Sequence, residues 1–330
     1  MKNPLNRIRS MRAMLLSVLA ACAFSVLAQT VGQPQPSAKL NVIVLDKSEN
    51  AVGDVTKEEF RVFEDEVEQA ILALSKDERP LSYGLLMDNS GSLRSQFEEI
   101  LEAGRRIVNA NRLEDEAFLM SFASSDKIKL LRDFTSNQAA LNRSIDDLFI
   151  ESGQTALIDA VHLGTRLLNK RGTENMSQPR RLALILITDG EDRDSYYKRE
   201  QLFEFLRGTD VQIFVVGLVT ELEEGIAPFR KVKNPQRRAR DLLDQLAEET
   251  GGRTLYAKSR RDLQGVADEI ARSLRTQYVI GYTPAPNPKS KPLRKVKVTI
   301  VRDKEKEKRT AITRPAYVAP VSVTATSGSK

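Results

Sequence analysis

Three short segments of the sequence carry side-chain oxygens at points where a strand or a loop gives way to a helix. The first is 88–92 (DNSGS), which follows the apolar run 81–87. The second, 152–157 (SGQTAL), precedes a helical pattern, and the third, 189–192 (DGED), follows the apolar run 182–187. These segments supply hydroxyls and carboxylates but neither imidazole nor thiolate. The chemistry that they favour is coordination of a hard cation.

We expect Mg²⁺ before Ca²⁺ or Mn²⁺, because Mg²⁺ accepts oxygen ligands in octahedral geometry and keeps several of its waters. The predicted ligands are three neutral hydroxyls and two carboxylates, which belong to Ser90, Ser92, Thr155, Asp88 and Asp189. The two carboxylates can act directly or through water. With so few anions in contact, the ion would keep positive charge and an open position. We therefore expect it to attract an acidic oxygen from outside the chain.

The order of these residues, D-x-S-G-S, then a distant Thr, then D-G, resembles the metal-ion-dependent adhesion site of von Willebrand factor type A (VWFA) domains. The resemblance covers about 81–276. The flanking segments 55–60 (VTKEEF), 278–282 (YVIGY) and 314–317 (RPAY) resemble those of a bacterial, acidobacterial-type group of VWFA-related proteins. The resemblance implies a non-enzymatic binding or adhesion module in which an Asp or Glu of a protein partner completes the coordination shell.

The elements that must position these residues alternate between apolar runs and amphipathic helical patterns. Run 182–187 (LALILI) is apolar on both faces, as is typical of a central parallel strand covered by helices. The alternation over 81–276 predicts an α/β fold, doubly wound, with a mostly parallel sheet of about six strands and helices on both faces. The ligand site of such a sheet lies at the carboxyl ends of its strands.

The net charge of +6 comes from the two ends of the chain. Residues 1–28 hold four basic and no acidic residues, and 285–330 hold twelve basic and three acidic ones, so the remainder carries −7. The basic total therefore describes no single surface and does not by itself indicate an anionic partner.

Residues 1–28 are predicted to be a cleaved signal peptide, because a basic start precedes an apolar stretch that is shorter than the ~20 residues needed to span a bilayer. We expect an exported protein, periplasmic or extracellular, with no transmembrane helix in the mature chain. Cys22, the only cysteine, lies in a segment (LAAC) that resembles a lipobox, so a lipid anchor at this residue is an alternative.

The other segments divide around the central domain. We predict a linker at 29–37, a β-rich unit at 38–78, a β-rich extension at 277–320 and a flexible tail at 321–330. The segment 220–238 is expected to be a polar insertion, and its basic part, 231–240, is a candidate recognition loop. The basic cluster 289–309 is expected to be the solvated end of a hairpin, with contact to anionic lipid or cell-wall polymer as the alternative. Aromatic residues are not interleaved with these bases, so we expect no nucleic acid partner.

Two other functions remain open from the sequence. A metal-assisted hydrolase would need a general base near the ion, and Glu191 or Asp192 is the nearest choice. A scaffold would use the metal only to stabilise the fold. The single histidine, His162, is expected at a helix surface rather than at a catalytic site.

Overall fold

The structure, a computed structural model, describes residues 38–174, 178–218, 235–259, 261–285, 291–301 and 308–318. All of these belong to one unit, 36–330. The predicted signal peptide, linker and C-terminal tail lie outside the described residues, as does the charged stretch 302–307.

Apolar and alternating segments form strands, and segments with helical spacing form helices. The strands are β1 (Ala38–Leu45), β2 (Phe60–Glu64), β3 (Val67–Gln69), β4 (Ile71–Lys76), β5 (Leu81–Asp88), β6 (Glu116–Phe122), β7 (Ile128–Thr135), β8 (Arg181–Thr188), β9 (Gln212–Gly217), β10 (Arg253–Tyr256), β11 (Gln277–Tyr282), β12 (Leu293–Ile300), β13 (Thr310–Ile312) and β14 (Ala316–Val318). The α-helices are α1 (Phe97–Asn109), α2 (Gln138–Asp146), α3 (Leu157–Glu174), α4 (Arg199–Arg207), α5 (Pro235–Thr250) and α6 (Asp262–Arg275).

The central sheet has six strands in the order β10-β9-β8-β5-β6-β7. All neighbours are parallel except β6 and β7, which are antiparallel. Every residue of β5 and β9 is buried, because helices cover both faces of the sheet. The prediction of a doubly wound, mostly parallel sheet of about six strands is confirmed.

The helices form one layer on each face of this sheet. Helices α1, α2 and α6 pack on the face that carries Leu85 and Ile185, whereas α3, α4 and α5 pack on the face that carries Leu86 and Leu184. The chain leaves β5 toward β6 on one side and later returns to β8 on the other. This reversal creates a crevice at the carboxyl ends of β5 and β8, which is where doubly wound sheets bind ligands.

The segments before and after the central domain build two further four-stranded sheets together. Their orders are β13-β1-β11-β4 and β14-β12-β2-β3. Strand β1 contributes to two cores, because its side chains alternate between its faces. Leu40 and Val42 pack between the two small sheets, whereas Ile43 and Leu45 join the core that contains α1 and α6.

The prediction that the polar insertion extends over 220–238 is wrong at its C-terminal end. Helix α5 begins at Pro235, so the last part of the basic stretch 231–240 is helical and is not a loop. Proline favours the first position of a helix, where its missing N–H loses no intrahelical bond. Residues 219–234 lie outside the described residues.

Within the described ranges, no helix is both long enough and apolar enough to cross a membrane.

Candidate metal centre

Asp88 is the last residue of β5, and its side chain is completely buried. One carboxylate oxygen, Oδ1, accepts a hydrogen bond from the backbone N–H of Ser90 at 3.0 Å. The other, Oδ2, accepts one from the hydroxyl of Thr188 at 2.6 Å. Burial raises the pKa of Asp88 well above its usual range, and repulsion from Asp189 raises it further. Asp189 directly follows Thr188, the residue whose hydroxyl bonds Asp88.

Two serine hydroxyls lie directly after this carboxylate. Ser90 is buried and Ser92 is exposed, and their Oγ atoms are 3.1 Å apart. Ser90 precedes a turn of 3₁₀ helix, Gly91–Gln96, that leads into α1. The site thus has a buried floor and an edge that is open to solvent.

Thr155 is buried in the loop before α3, and Asp189 is half-buried directly after β8. The carbonyl of Thr155 accepts hydrogen bonds from the backbone N–H groups of Arg193 and Asp194, at 2.8 and 3.2 Å. Oδ1 of Asp189 accepts one from the N–H of Glu191 at 3.1 Å. The two bonds to the Thr155 carbonyl hold the Thr155 loop against the loop that carries Asp189.

Hydrogen bonds from residues directly next to the three oxygen-bearing segments join these segments in pairs. The first and third meet through the hydroxyl of Thr188 and the carboxylate of Asp88. The first and second meet where the N–H of Glu151 donates to the carbonyl of Asn89 at 2.8 Å. The second and third meet at the carbonyl of Thr155. The structure brings the segments together, and the role of the five side chains as metal ligands stays a prediction.

The donor set fits a hard divalent cation. In the described part of the chain, neither Asp88 nor Asp189 forms an ion pair with a lysine or an arginine. A buried carboxylate beside a second one is unfavourable unless positive charge balances it. The described residues also contain no group of three or more His, Cys, Asp or Glu side chains suited to a metal. All five predicted ligands are oxygen atoms, the donor type that hard divalent cations prefer.

Sequence reasoning missed Thr188 and Asn89. Thr188 orients the buried carboxylate, but a threonine at the end of a strand is also an ordinary strand residue. Asn89 donates its side-chain N–H to the carbonyl of Phe149 at 2.9 Å and so fixes the neighbouring loop. Their positions beside Asp189 and Asp88 in the sequence are the only signals that could have singled them out.

The acidic residues of the 189–192 segment that were considered as general bases have structural partners. Oδ1 of Asp192 accepts hydrogen bonds from the N–H of Ile158, at the start of α3, and from the hydroxyl of Ser195. Glu191 forms an ion pair with Arg193 at 2.8 Å. His162, on α3, stacks on the ring of Tyr197 with 4.0 Å between centroids, and burial lowers its pKa.

Comparisons with known proteins give one family match. Residues 84–191, a range that contains all five predicted ligands, match the family model of the von Willebrand factor type A domain. No curated protein matches the chain.

Several solved structures are similar in part. A conserved hypothetical protein, BatB from Bacteroides thetaiotaomicron, is 17% identical, covers 59% of this chain and 98% of its own, and has a TM-score of 0.45. A von Willebrand factor type A protein from Catenulispora acidiphila is 14% identical over 88% of this chain and 76% of its own, with a TM-score of 0.45. Proximal thread matrix protein 1 from the mussel byssus, with a zinc-occupied MIDAS motif, is 17% identical over 63% of this chain and 49% of its own, with a TM-score of 0.45.

The family match over 84–191 lies within the six-stranded, mostly parallel sheet and its helices. The chain contains a von Willebrand factor type A domain.

Proposed function

We propose that this chain is an exported binding module whose VWFA domain engages a carboxylate of a protein partner through a bound divalent cation, with Mg²⁺ the expected ion. The observation that carries the proposal is the pair of neighbouring carboxylates, Asp88 and Asp189, beside the hydroxyls of Ser90, Ser92 and Thr155. When bound, the ion supplies positive charge and a coordination position for an oxygen of the partner.

The chain's own residues account for the open side of this site. Ser92 is exposed and Asp189 is half-buried, so an external carboxylate can reach the predicted ligands. Asp88 is completely buried and is held by hydrogen bonds from Ser90 and Thr188, which fix its orientation. Positioning by bonds that form before a ligand arrives lowers the entropic cost of binding.

The backbone of an exposed aromatic residue contacts the first site segment. Phe149 is 63% exposed, and its carbonyl accepts the hydrogen bond from Asn89 that fixes the loop before Thr155. Exposed aromatic residues are enriched at protein interfaces. This arrangement favours a partner that presents its Asp or Glu next to an apolar side chain.

The metal-assisted hydrolase is less well supported. Asp192 bonds the start of α3, and Glu191 pairs with Arg193, so each candidate base already has a structural role. The scaffold alternative predicts that the metal stabilises the fold without promoting any partner interaction.

Metal binding is tested by titrating Mg²⁺ into the purified chain and the variant Asp88→Ala, with calorimetry and thermal denaturation as readouts. Glu191→Gln is the matched control, because it removes a carboxylate from the 189–192 segment without removing a predicted ligand. At a free Mg²⁺ concentration 100 times its Kd, the wild type should gain about 2.7 kcal/mol of stability. Asp88→Ala should lose this gain and Glu191→Gln should keep it. Equal Mg²⁺ binding by the wild type and Asp88→Ala would contradict the proposed site.

Partner binding is tested by capture from cell-envelope extract in Mg²⁺, elution with EDTA and identification by mass. The captured protein is then made with its candidate Asp or Glu changed to Asn or Gln. We expect binding to require Mg²⁺, Asp88 and that partner carboxylate. Capture that persists in EDTA would contradict metal-dependent binding, and Mg²⁺ stabilisation without any EDTA-sensitive partner would favour the scaffold.

Export is tested by sequencing the N-terminus and weighing the protein recovered from the envelope. Cleavage after Ala28 predicts that Gln29 is the first residue. Acylation of Cys22 that is absent from the variant Cys22→Ser would instead identify a lipoprotein. A protein that still begins at Met1 would contradict export through a cleaved signal peptide.

A further inference from the structure

A second site candidate lies at the opposite end of the central sheet from Asp88. A cleft of about 590 Å³ opens at the amino ends of β8 and β9 and is bordered by β1 and by the segment between β13 and β14. Its basic lining residues, which we call the amino-edge cluster, are Lys39, Arg79, Arg180, Arg181 and Arg314. A neighbouring cleft of about 290 Å³ shares Lys39 and Arg314 and adds Arg207.

The positive charge of the amino-edge cluster is only partly balanced. Asp77 forms a bidentate pair with Arg79, at 2.8 and 2.6 Å, and also lies 3.3 Å from Arg181. One carboxylate thus serves two guanidinium groups. Arg314 pairs with Asp210, whose side chain is 93% exposed and is therefore strongly screened by water.

The remaining carboxylate near the cluster is shared as well. Glu116 lies 3.5 Å from Arg180, but it also forms a bidentate pair with Arg171, which does not line the cleft. Lys39 is exposed and has no ion-pair partner among the described residues. Five basic side chains therefore line the cleft, whereas only three carboxylates pair with them, and two of those three are each shared between two arginines.

Arg181 shows the imbalance most directly. Its side chain is only 2% exposed, and one N–H donates to the carbonyl of Leu274 at 2.6 Å. Its Nη2 atom is buried and has no hydrogen-bond partner in the described part of the chain, and its Nε, although 3.3 Å from Oδ2 of Asp77, makes no hydrogen bond there. The pKa of Arg181 is lowered to about 10, mainly by burial. The negative charge of Asp77 opposes this shift, whereas the positive charge of Arg79 adds to it. Arg275 also lowers the pKa of Arg181, but Arg275 is itself paired with Asp115. A buried guanidinium with unpaired N–H groups is unfavourable, and an anion nearby would stabilise it.

We propose that the amino-edge cluster binds a phosphate group. A surplus of about two positive charges matches a doubly charged oxyanion, and forked guanidinium groups suit the oxygens of phosphate. The cleft is large enough for a small phosphate-bearing molecule and not only for the bare ion. The phosphate group could come from a free solute or from a lipid headgroup, since both present the same charged oxygens. Because the cleft shares no residue with the predicted metal ligands, this site does not depend on the proposed function.

The proposal is tested by calorimetric titration of the wild-type chain with inorganic phosphate at constant ionic strength, set with sodium chloride. We expect saturable binding that Lys39→Gln weakens roughly three- to tenfold, because it removes one partly exposed charged contact. Arg314→Gln should weaken phosphate binding at least as much, and its thermal denaturation is measured alongside because Arg314 also donates to the carbonyl of Thr209. Lys258→Gln is the charge-matched control, since Lys258 is exposed and lines neither cleft.

The outcomes separate the proposal from its alternatives. Absence of saturable binding by the wild type, or equal binding by the wild type and Lys39→Gln, would overturn it. An equal loss in Lys258→Gln would also overturn it, because the effect would then be one of net charge alone. Asp88→Ala should bind phosphate like the wild type even if it loses Mg²⁺, so failure of one site is distinguishable from failure of the other.

The source of the phosphate group is identified by a second experiment, which measures binding of the protein to lipid vesicles. A lipid headgroup would be identified if the wild type sediments with phosphatidylglycerol vesicles but not with phosphatidylcholine vesicles. In that case Lys39→Gln should not sediment with the phosphatidylglycerol vesicles. Phosphate binding without vesicle binding would support a free phosphate-bearing solute.

Discussion

Replacing Gly190 by alanine tests how the loop that carries Asp189 is held. Gly190 has φ = +81°, a left-handed backbone conformation that L side chains rarely adopt. A Cβ atom added there would lie 2.9 Å from Cδ1 of Leu243 and 3.1 Å from Cβ of Ala239. Leu243 and Ala239 are both buried on α5, so neither can move aside without disturbing the core.

The cost of Gly190→Ala is the sum of two unfavourable effects, reduced by one favourable effect. The left-handed conformation costs an alanine about 1 kcal/mol. Over-packing against Leu243 and Ala239 adds roughly 1–3 kcal/mol. Stiffening of the unfolded chain returns about 0.4–1 kcal/mol. We expect a net loss of about 1–4 kcal/mol, which for a domain of this size lowers Tm by roughly 3–12 °C.

The matched control is Gly265→Ala on α6. A Cβ at Gly265 meets nothing within 4 Å, so alanine should stabilise the helix by about 0.5–1 kcal/mol. Urea and thermal denaturation in EDTA measure both variants against the wild type. Because the added methyl also displaces the loop that holds Asp189, Gly190→Ala should weaken Mg²⁺ binding about tenfold. If Gly190→Ala were as stable as Gly265→Ala and bound Mg²⁺ like the wild type, the described loop geometry would be wrong.

Three further changes test other parts of the structure. Burial alone would raise the pKa of Asp115, but hydrogen bonds from Arg275 and from two backbone amides outweigh it and lower the pKa below 3.8. The stabilisation that ionised Asp115 provides is therefore present above the unfolded pKa of 3.8 and is lost as the pH falls further. Urea denaturation at decreasing pH should therefore show a smaller loss of stability in Asp115→Asn than in the wild type. Equal losses of stability in acid would contradict this pairing. Asp192→Ala removes the acceptor for the N–H of Ile158 and should destabilise the protein by about 1 kcal/mol in urea, whereas no change would exclude a capping role. Phe149→Ala should alter stability by less than about 0.5 kcal/mol but weaken capture of the envelope partner, and undiminished capture would remove Phe149 from the contact surface.

Much of the central domain was predictable because its signals are local. Run 182–187 is apolar on both faces, which only a strand covered on both sides can accommodate. The three site segments each follow an apolar run or precede a helical pattern, and the carboxyl ends of parallel strands meet at one edge. The order of the predicted ligands along the chain could therefore be related to one place in the fold.

The elements that were not predicted have weak local signals. Strand β4 has no buried residue, and β13 and β14 have three residues each, so none shows a clear alternation of buried and exposed positions. Strand β14 pairs with the nearby β12, whereas β4 and β13 are strands because of distant partners: β4 pairs with β11, and β13 pairs with β1. Such pairings depend on backbone hydrogen bonds to segments more than 100 residues away, which no local window contains.

The sequence by itself determined the kinds of ligand that the site can offer and the alternation that builds the parallel sheet, since side-chain chemistry and periodicity are properties of short segments. Only the tertiary structure decided that the hydroxyl of Thr188 orients the buried carboxylate of Asp88 and that Asp77 serves both Arg79 and Arg181. The physical reason is that hydrogen bonds and charge balance act over a few ångströms in space. Which groups come that close is set by strand order and by packing of the whole chain.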